Sequence, residues 1–288
     1  MKRSLLILLI PIFLCIAIAF GTSDKPFLWK IDTKPPSYIF GTVHYPDSRI
    51  ANPGEVVFSR LDKCSDFVME VDLDEDAMSV MLKYSMLPDS LKLGDLLPEE
   101  TYKKIDSVLV SMGQSIAMYS MMKPWVINLT LAMPPTKDTV QIMPMDLQLQ
   151  QRAKQKDKNI RGLETVEEQI KLFDDQSYDE QVKMIEKTVA EFAEYEKYLD
   201  KLIDAYIDGD LNKLHELINY WSIDKDDAEF IEDILYKRND TMFEGMMKLF
   251  EEEGKSFFVA VGAGHLAGEK GILQKLEDKG YEIKRITR

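Results

Sequence analysis

The sequence predicts an α/β protein: a single domain whose N- and C-terminal strands share one sheet, with a long helical middle forming a cap or layer. Three observations lead there. Short β-favouring runs lie at both ends, at 27–31, 37–40 and 67–71 and again at 256–261 and 282–286. Between them, over about 98–251, apolar residues recur at spacings of three and four. Each β-rich end is too small to close a core alone, so the two must meet.

The first element is MKRSLLILLIPIFLCIAIAF, in which Lys2 and Arg3 precede an apolar run from Leu5 to Phe20. It reads as an export leader with Ala17-Ile18-Ala19 as a small-x-small cleavage site, so that 1–19 is removed and 20–288 is the folded domain. Retention as an N-terminal anchor and lipid modification of Cys15 are the alternatives. The run is short for a membrane span, and Phe13 and Leu14 are bulky beside Cys15. The expected location is outside the cytoplasm: periplasmic, secreted or attached to the cell envelope. Loss of Lys2 and Arg3 would take the formal net charge from -14 to -16.

Phe27–Ile31 and Ser37–Phe40, separated by the turn DTKPP, suit a hairpin. The loop GTVHYPDSRIANPG leads into a short helix, Glu55–Asp62. Phe67–Val71 reads as a buried strand and is followed by the acidic cluster DLDED. Pro98–Ile127 is helical with a break at Gly113. MPPTKDTV is a loop, and Thr139–Lys156 is a helix interrupted at Pro144. Asn159–Gly162 is a short strand or sheet edge. Thr165 and Glu168 have capping-box spacing, ahead of an apolar face of Leu163, Val166, Ile170 and Phe173. One stripe then runs from Val182 to Tyr206 and stops at Gly209. Another comprises Ile231, Leu235, Arg238, Met242, Met246 and Leu249. Ser256–Val261 is an apolar strand, Gly268–Lys279 a helix stopped by Gly280, and Glu282–Ile286 a last strand.

Composition narrows the function. Acidic residues outnumber basic ones 50 to 36, which argues against a general nucleic-acid binder. The two cysteines, Cys15 and Cys64, are too few for a disulfide scaffold or a four-cysteine zinc site. Cys64, beside an apolar strand, reads as a small buried hydrophobe.

The chain has three histidines, and two occupy similar settings. His44 closes Gly41-Thr42-Val43-His44 after SYIF; His265 closes Gly262-Ala263-Gly264-His265 after SFFVAV. Each imidazole would emerge at the C-terminal end of a strand, where open α/β sheets hold ligands. Glu70 is a carboxylate within an apolar run, which is costly unless it is paired or bound. Two imidazoles and a carboxylate suit a divalent metal (Zn, Mn or Co) with a position left for water. The plainer reading is that Glu70 faces outward and the histidines merely hold loops.

Arg238 falls on an apolar stripe, so it must snorkel, pair with Glu70 or Glu164, or stabilise an oxyanion. Asp146 shares a helix side with Ile142, Leu149 and Ala153 and could orient a ligand histidine or simply cap or pair locally. Glu164 either supports the site from behind or belongs to its helix start. His215, in LNKLHELINY, has no glycine setting and reads as structural. Gly262-Ala263-Gly264 mimics a dinucleotide fingerprint, but Ala267 stands at the third glycine. His-Glu-x-x-His, Gly-x-Ser-x-Gly and a phosphate-binding loop are absent.

The ordered set FLWKID, YIFGTVH, FVMEVD, RGLETVEEQ, LYKRND and FFVAVGAGHLAGEKGILQKLEDKGYEI resembles the TraB/GumN family, which includes TIKI-like metalloproteases that cleave Wnt proteins. The resemblance covers most of the chain after the leader. It implies an α/β core with paired Gly-x-x-His motifs and a divalent-metal centre at His44, Glu70 and His265. Arg238 and Asn239 match its Arg-Asn pair, and Asp146 and Glu164 match its acidic positions. It points to an exported metal-dependent hydrolase of a peptide or small molecule, with membrane contact only through an uncleaved leader. A rival is a non-catalytic binding protein that holds a peptide or small anion on Arg238. Related proteins resemble esterases, so a shared constellation need not mean a shared reaction.

Overall fold

The structure, a computed structural model, describes residues 25–135, 142–220 and 225–287. The leader, its cleavage site and Cys15 lie outside the described residues, as do Thr139 and most of the loop around it. No helix among the described residues is long and apolar enough to cross a membrane.

Six strands among the described residues form one sheet in the order β4-β3-β5-β2-β1-β6. The expected hairpin is there: β1 (Leu28–Ile31) pairs antiparallel with β2 (Ser37–Thr42), Leu28 opposite Phe40. β5 (Phe257–Gly262) lies at the centre, parallel both to β2 and to β3 (Asp66–Met69). β4 (Asn159–Gly162) runs parallel to β3 at one edge, and β6 (Ile283–Arg285) closes antiparallel on β1 at the other. The two ends of the chain therefore build one sheet. The Phe67 and Phe40 rings each stand 6.3 Å from Phe258. All three are buried, a contribution of about 1.5–3 kcal/mol each.

Strand β3 is shorter than expected. It ends at Met69, and Glu70 lies just beyond it. The reason is that the Glu70 carbonyl turns to the loop after β4, where it accepts the Leu163 and Glu164 N–H groups at 3.0 and 2.8 Å. The strand expected at Asn159–Gly162, within the helical middle, is present as β4.

After α1 (Glu55–Lys63) and β3, the acidic cluster begins a helix that periodicity did not reveal, α2 (Glu75–Ser85). Asp74 caps it, accepting the Ala77 N–H at 2.8 Å. The stretch expected as one broken helix divides into α3 (Leu93–Leu96), α4 (Glu99–Ser111), a 3₁₀ turn (Ile116–Tyr119) and α5 (Pro124–Leu131). α6 (Met145–Gln155) starts directly after Pro144. α7 (Val166–Asp174) carries the predicted capping box: Glu168 Oε2 accepts the Thr165 N–H at 2.7 Å, and Thr165 Oγ1 accepts the Glu168 N–H at 3.2 Å. Then come α8 (Tyr178–Ile207), α9 (Leu211–Tyr220), α10 (Lys225–Ile231), a π-helical segment (Glu232–Lys237) and α11 (Arg238–Phe250). α12 (Ile272–Asp278) starts later than predicted. Gly268 adopts φ +82° and its carbonyl accepts the Gly271 N–H, which makes a turn where a helix start was expected.

Three hydrophobic clusters result among the described residues: one on the sheet, one inside the cap and a small one around Trp125, Val166 and Ile170. α8 joins the first two. Val182, Ile185 and Phe192 pack in the cap, and Ile203, Ala205 and Tyr206 pack on the sheet. Cys64 is buried in the sheet core, and burial pushes its thiol up to about 12.

Candidate active site

Parallel pairing of β2, β5, β3 and β4 puts their C-terminal ends along one edge of the sheet. The residues that follow those ends are His44 after β2, His265 after β5, Glu70 after β3 and Glu164 after β4. Neighbouring strand order thus brings together groups far apart in the chain: Glu70 and the Gly262 N–H it accepts are 192 positions apart.

Glu70 is the hub. Its Oε1 accepts the Gly262 N–H at 2.6 Å, and its Oε2 accepts Arg238 Nη2 at 2.6 Å and Gln169 Nε2 at 3.2 Å. Burial opposes its charge. His265, Arg238, His44 and the Gly262 N–H more than offset that, and the carboxyl sits at about 2.

Arg238 begins α11 at the end of the π-helical segment, a distortion often found at functional sites. Its Nε and Nη2 donate to Glu164 at 2.7–3.1 Å. Its Nη1 donates to the Ile234 carbonyl at 2.9 Å and faces His265 Nε2 at 3.4 Å. Arg238 pairs with both Glu70 and Glu164, so its donors are spent on protein acceptors. It is not free to anchor an anion in this arrangement.

His265 is buried. Asn239 Nδ2 donates to the Lys270 carbonyl at 2.9 Å, which turns Asn239 Oδ1 toward His265 Nδ1 at 2.7 Å. That network assigns the proton to Nδ1 and leaves the Nε2 lone pair toward the site. Burial lowers its basicity to about 4, against the pull of Glu70 and with the push of Arg238.

His44 is exposed, with 57% of its side chain accessible. Surrounding protein disfavours its charge, but Asp146 and, beyond it, Glu70 outweigh this and raise it to about 9. Asp146 Oδ1 lies 3.0 Å from His44 Nδ1 in an ion-pair contact, yet it is buried without an aligned hydrogen bond.

Gly262 supplies the space between these groups. A methyl built there would lie 3.2 Å from Glu70 Oε1, 3.4 Å from His265 Cδ2 and 3.9 Å from His44 Nε2. This gap and the orphaned Asp146 oxygen test the fit of a metal. Both imidazoles turn Nδ1 to an oxygen and Nε2 inward, the disposition that ligating histidines adopt. The donor chemistry suits a divalent ion. Among the described residues, however, no group of three His, Cys, Asp or Glu side chains is drawn close enough to hold one. His265 Nε2 and Glu70 Oε1 are 3.7 Å apart.

Two residues went unnoticed in the sequence. Gln169 bridges Glu70 and Glu164; its inward setting was readable, because position 169 flanks the apolar face of Val166, Ile170 and Phe173. Gln150 Nε2 donates to Asp72 Oδ1 at 2.9 Å, one helical turn after Asp146, and carried no signal of its own. His215 belongs to a separate cluster with Asn219 and Tyr236.

Comparison with known proteins agrees with this frame. A family model described as the TraB/PrgY/gumN family matches residues 27–285, and the chain belongs to that family. It is 25% identical over 312 residues to Metalloprotease TIKI1 of Danio rerio, covering 89% of this chain and 62% of that protein. Metalloprotease TIKI2 of Xenopus tropicalis is 25% identical over 312 residues, with 89% and 59% covered. Metalloprotease TIKI1 of Homo sapiens is 26% identical over 309 residues, with 89% and 61% covered. The chain spans about three fifths of the length of these relatives. No solved structure matches it.

Proposed function

We propose that this member of the TraB/PrgY/gumN family is an exported, metal-dependent hydrolase acting on peptide bonds. The observation that carries the reading is the convergence on Gly262 of Glu70 Oε1, His44 Nε2 and the edge of the His265 ring, whose Nε2 stands 3.7 Å from Glu70 Oε1. Names borne by relatives at 23–26% identity support the same class. His44, Glu70 and His265 would hold Zn, Mn or Co, which when bound supplies an acidified water and a Lewis acid for a carbonyl.

The chain's own residues prepare that site. Asn239 keeps the His265 proton on Nδ1, so Nε2 carries the lone pair, which faces Arg238 Nη1 at 3.4 Å. Asp146 stands beside Nδ1 of His44 and favours its proton there. Arg238 helps to keep Glu70 ionised and orients both Glu70 and Glu164. Glu70 Oε1 serves either as a ligand or as the acceptor of a proton from the attacking water. Glu70→Gln separates the two roles: loss of metal marks a ligand, and retained metal with lost turnover marks a base.

The test is metal content and turnover of fluorogenic peptides after chelation and reloading with Zn2+, Mn2+ or Co2+. Turnover should appear with metal and vanish in the folded His44→Ala, Glu70→Ala and His265→Ala variants. A triple variant with full activity would overturn the reading. Tight peptide binding without turnover under any of the metals would favour the non-catalytic rival. Arg238, saturated by protein acceptors, gives that rival little support.

A further inference from the structure

We infer that Gln169 is a positioning residue that fixes the plane of the Glu70 carboxylate, and so the aim of its free edge at a bound metal; this rests on the hydrolase reading above. Glu70 Oε2 and Glu164 Oε2 share two donors. Arg238 Nη2 lies 2.6 and 2.7 Å from them, and Gln169 Nε2 lies 3.2 and 3.1 Å from them. Each donor nitrogen carries two hydrogens, one for each oxygen, so four atoms close a ring. Two ionised carboxylates held this close repel. The guanidinium supplies the countercharge, and the amide supplies a second bridge without adding charge.

The bridge matters because of where it comes from. With only Arg238 and the Gly262 N–H as donors, the Glu70 carboxylate could still tilt about its last torsion. Donors from two elements, α11 and α7, define the carboxylate plane. They tie Oε2 down and leave Oε1 toward the Gly262 N–H and the gap. α7 is itself registered to Glu70: the Glu164 N–H donates to the Glu70 carbonyl at 2.8 Å, and the Thr165–Glu168 box starts the helix directly afterwards. Gln169 touches no reacting atom in this scheme. It acts through Glu70, as outer partners of metal ligands do.

The experiment titrates Co2+ into the chelator-treated full chain and follows both affinity and the visible d–d absorption. The wild type should take up one Co2+. Gln169→Leu should weaken binding by about 10-fold or more and shift the absorption bands, with its metal-free melting temperature near that of the wild type. Gln169→Glu should weaken it further, since a third carboxylate joins the pair. Gln169→Asn keeps the amide on a side chain too short to bridge. It should behave as Gln169→Leu does, and it carries the test if the leucine variant does not fold. A folded Gln169→Leu or Gln169→Asn protein with wild-type affinity and spectrum overturns the role of Gln169 and leaves the hydrolase reading standing. A wild-type protein that takes up no Co2+ overturns both.

Discussion

The two Gly-x-x-His turns look alike in sequence and lie side by side in the fold, yet their glycines and histidines do opposite things. Strands β2 and β5 are parallel neighbours, but Gly41 pairs with Val261 and Gly262 pairs with Thr42. The glycines are offset by one residue, and in a strand one residue changes the face. A methyl on Gly41 would meet Leu266 Cδ1 at 2.8 Å and the Ala263 Cα at 3.1 Å, so this glycine lets the second turn pack against the first. Gly262 instead opens the gap between Glu70 and the two imidazoles. His265 is buried beside Asn239 and is held neutral, whereas His44 is exposed beside Asp146 and is charged at neutral pH. A repeated motif can thus carry a structural glycine in one copy and a site glycine in the other.

The largest test of that contrast is on the glycines. Gly262→Ala should fill the gap and cut peptide turnover by at least about 100-fold while the protein stays folded. Gly41→Ala should cost about 1–3 kcal/mol in denaturant unfolding and leave turnover per folded molecule nearly unchanged. Equal effects on turnover from the two variants would end the distinction.

The orienting residues should differ next. Asn239→Ala strands the buried Nδ1–H of His265 and should destabilise by about 1–3 kcal/mol. Asp146→Asn, next to an exposed ring, should cost no more than about 1 kcal/mol. It should also let the His44 titration fall toward 6.5, the ordinary value for the ring.

A subtler separation appears in the metal-free protein by NMR, with His44 titrating near 9 and His265 near 4. Two midpoints near 6.5 would erase the contrast. The corresponding slopes of stability are smaller and opposite in sign. Between about 6.5 and 9 the native state holds a proton on His44 that the unfolded chain has lost, so stability falls as pH rises. Between about 4 and 6.5 the unfolded chain protonates His265 and the native state does not, so stability rises with pH. Glu70 adds a rise between about 2 and 4.5. In His44→Gln the alkaline decline should flatten relative to the wild type. An unchanged decline would remove His44 as its source.

Much of this was legible from local chemistry. The apolar runs at both ends marked the strands, Thr165 and Glu168 marked a helix start, and the mismatch of Arg238 with its stripe marked a residue with buried partners. The length of β3 and the start of α12 were not legible, whereas the short strand at Asn159–Gly162 was. The first depends on a distant segment, the loop after β4 that takes the Glu70 carbonyl, and the second on the local turn at Gly268.

The residue types available for chemistry were determined by the sequence alone: three histidines, two of them behind glycine at strand ends, and a carboxylate within an apolar run. Only the tertiary structure decided which imidazole is charged, which glycine makes room and which donors Glu70 receives. Periodicity along the chain tells which side of an element is apolar. Protonation and reach depend on what other elements bring within about 4 Å, where Coulomb and hydrogen-bond energies become large. Strand order and register set those neighbours, and neither can be read from any one segment.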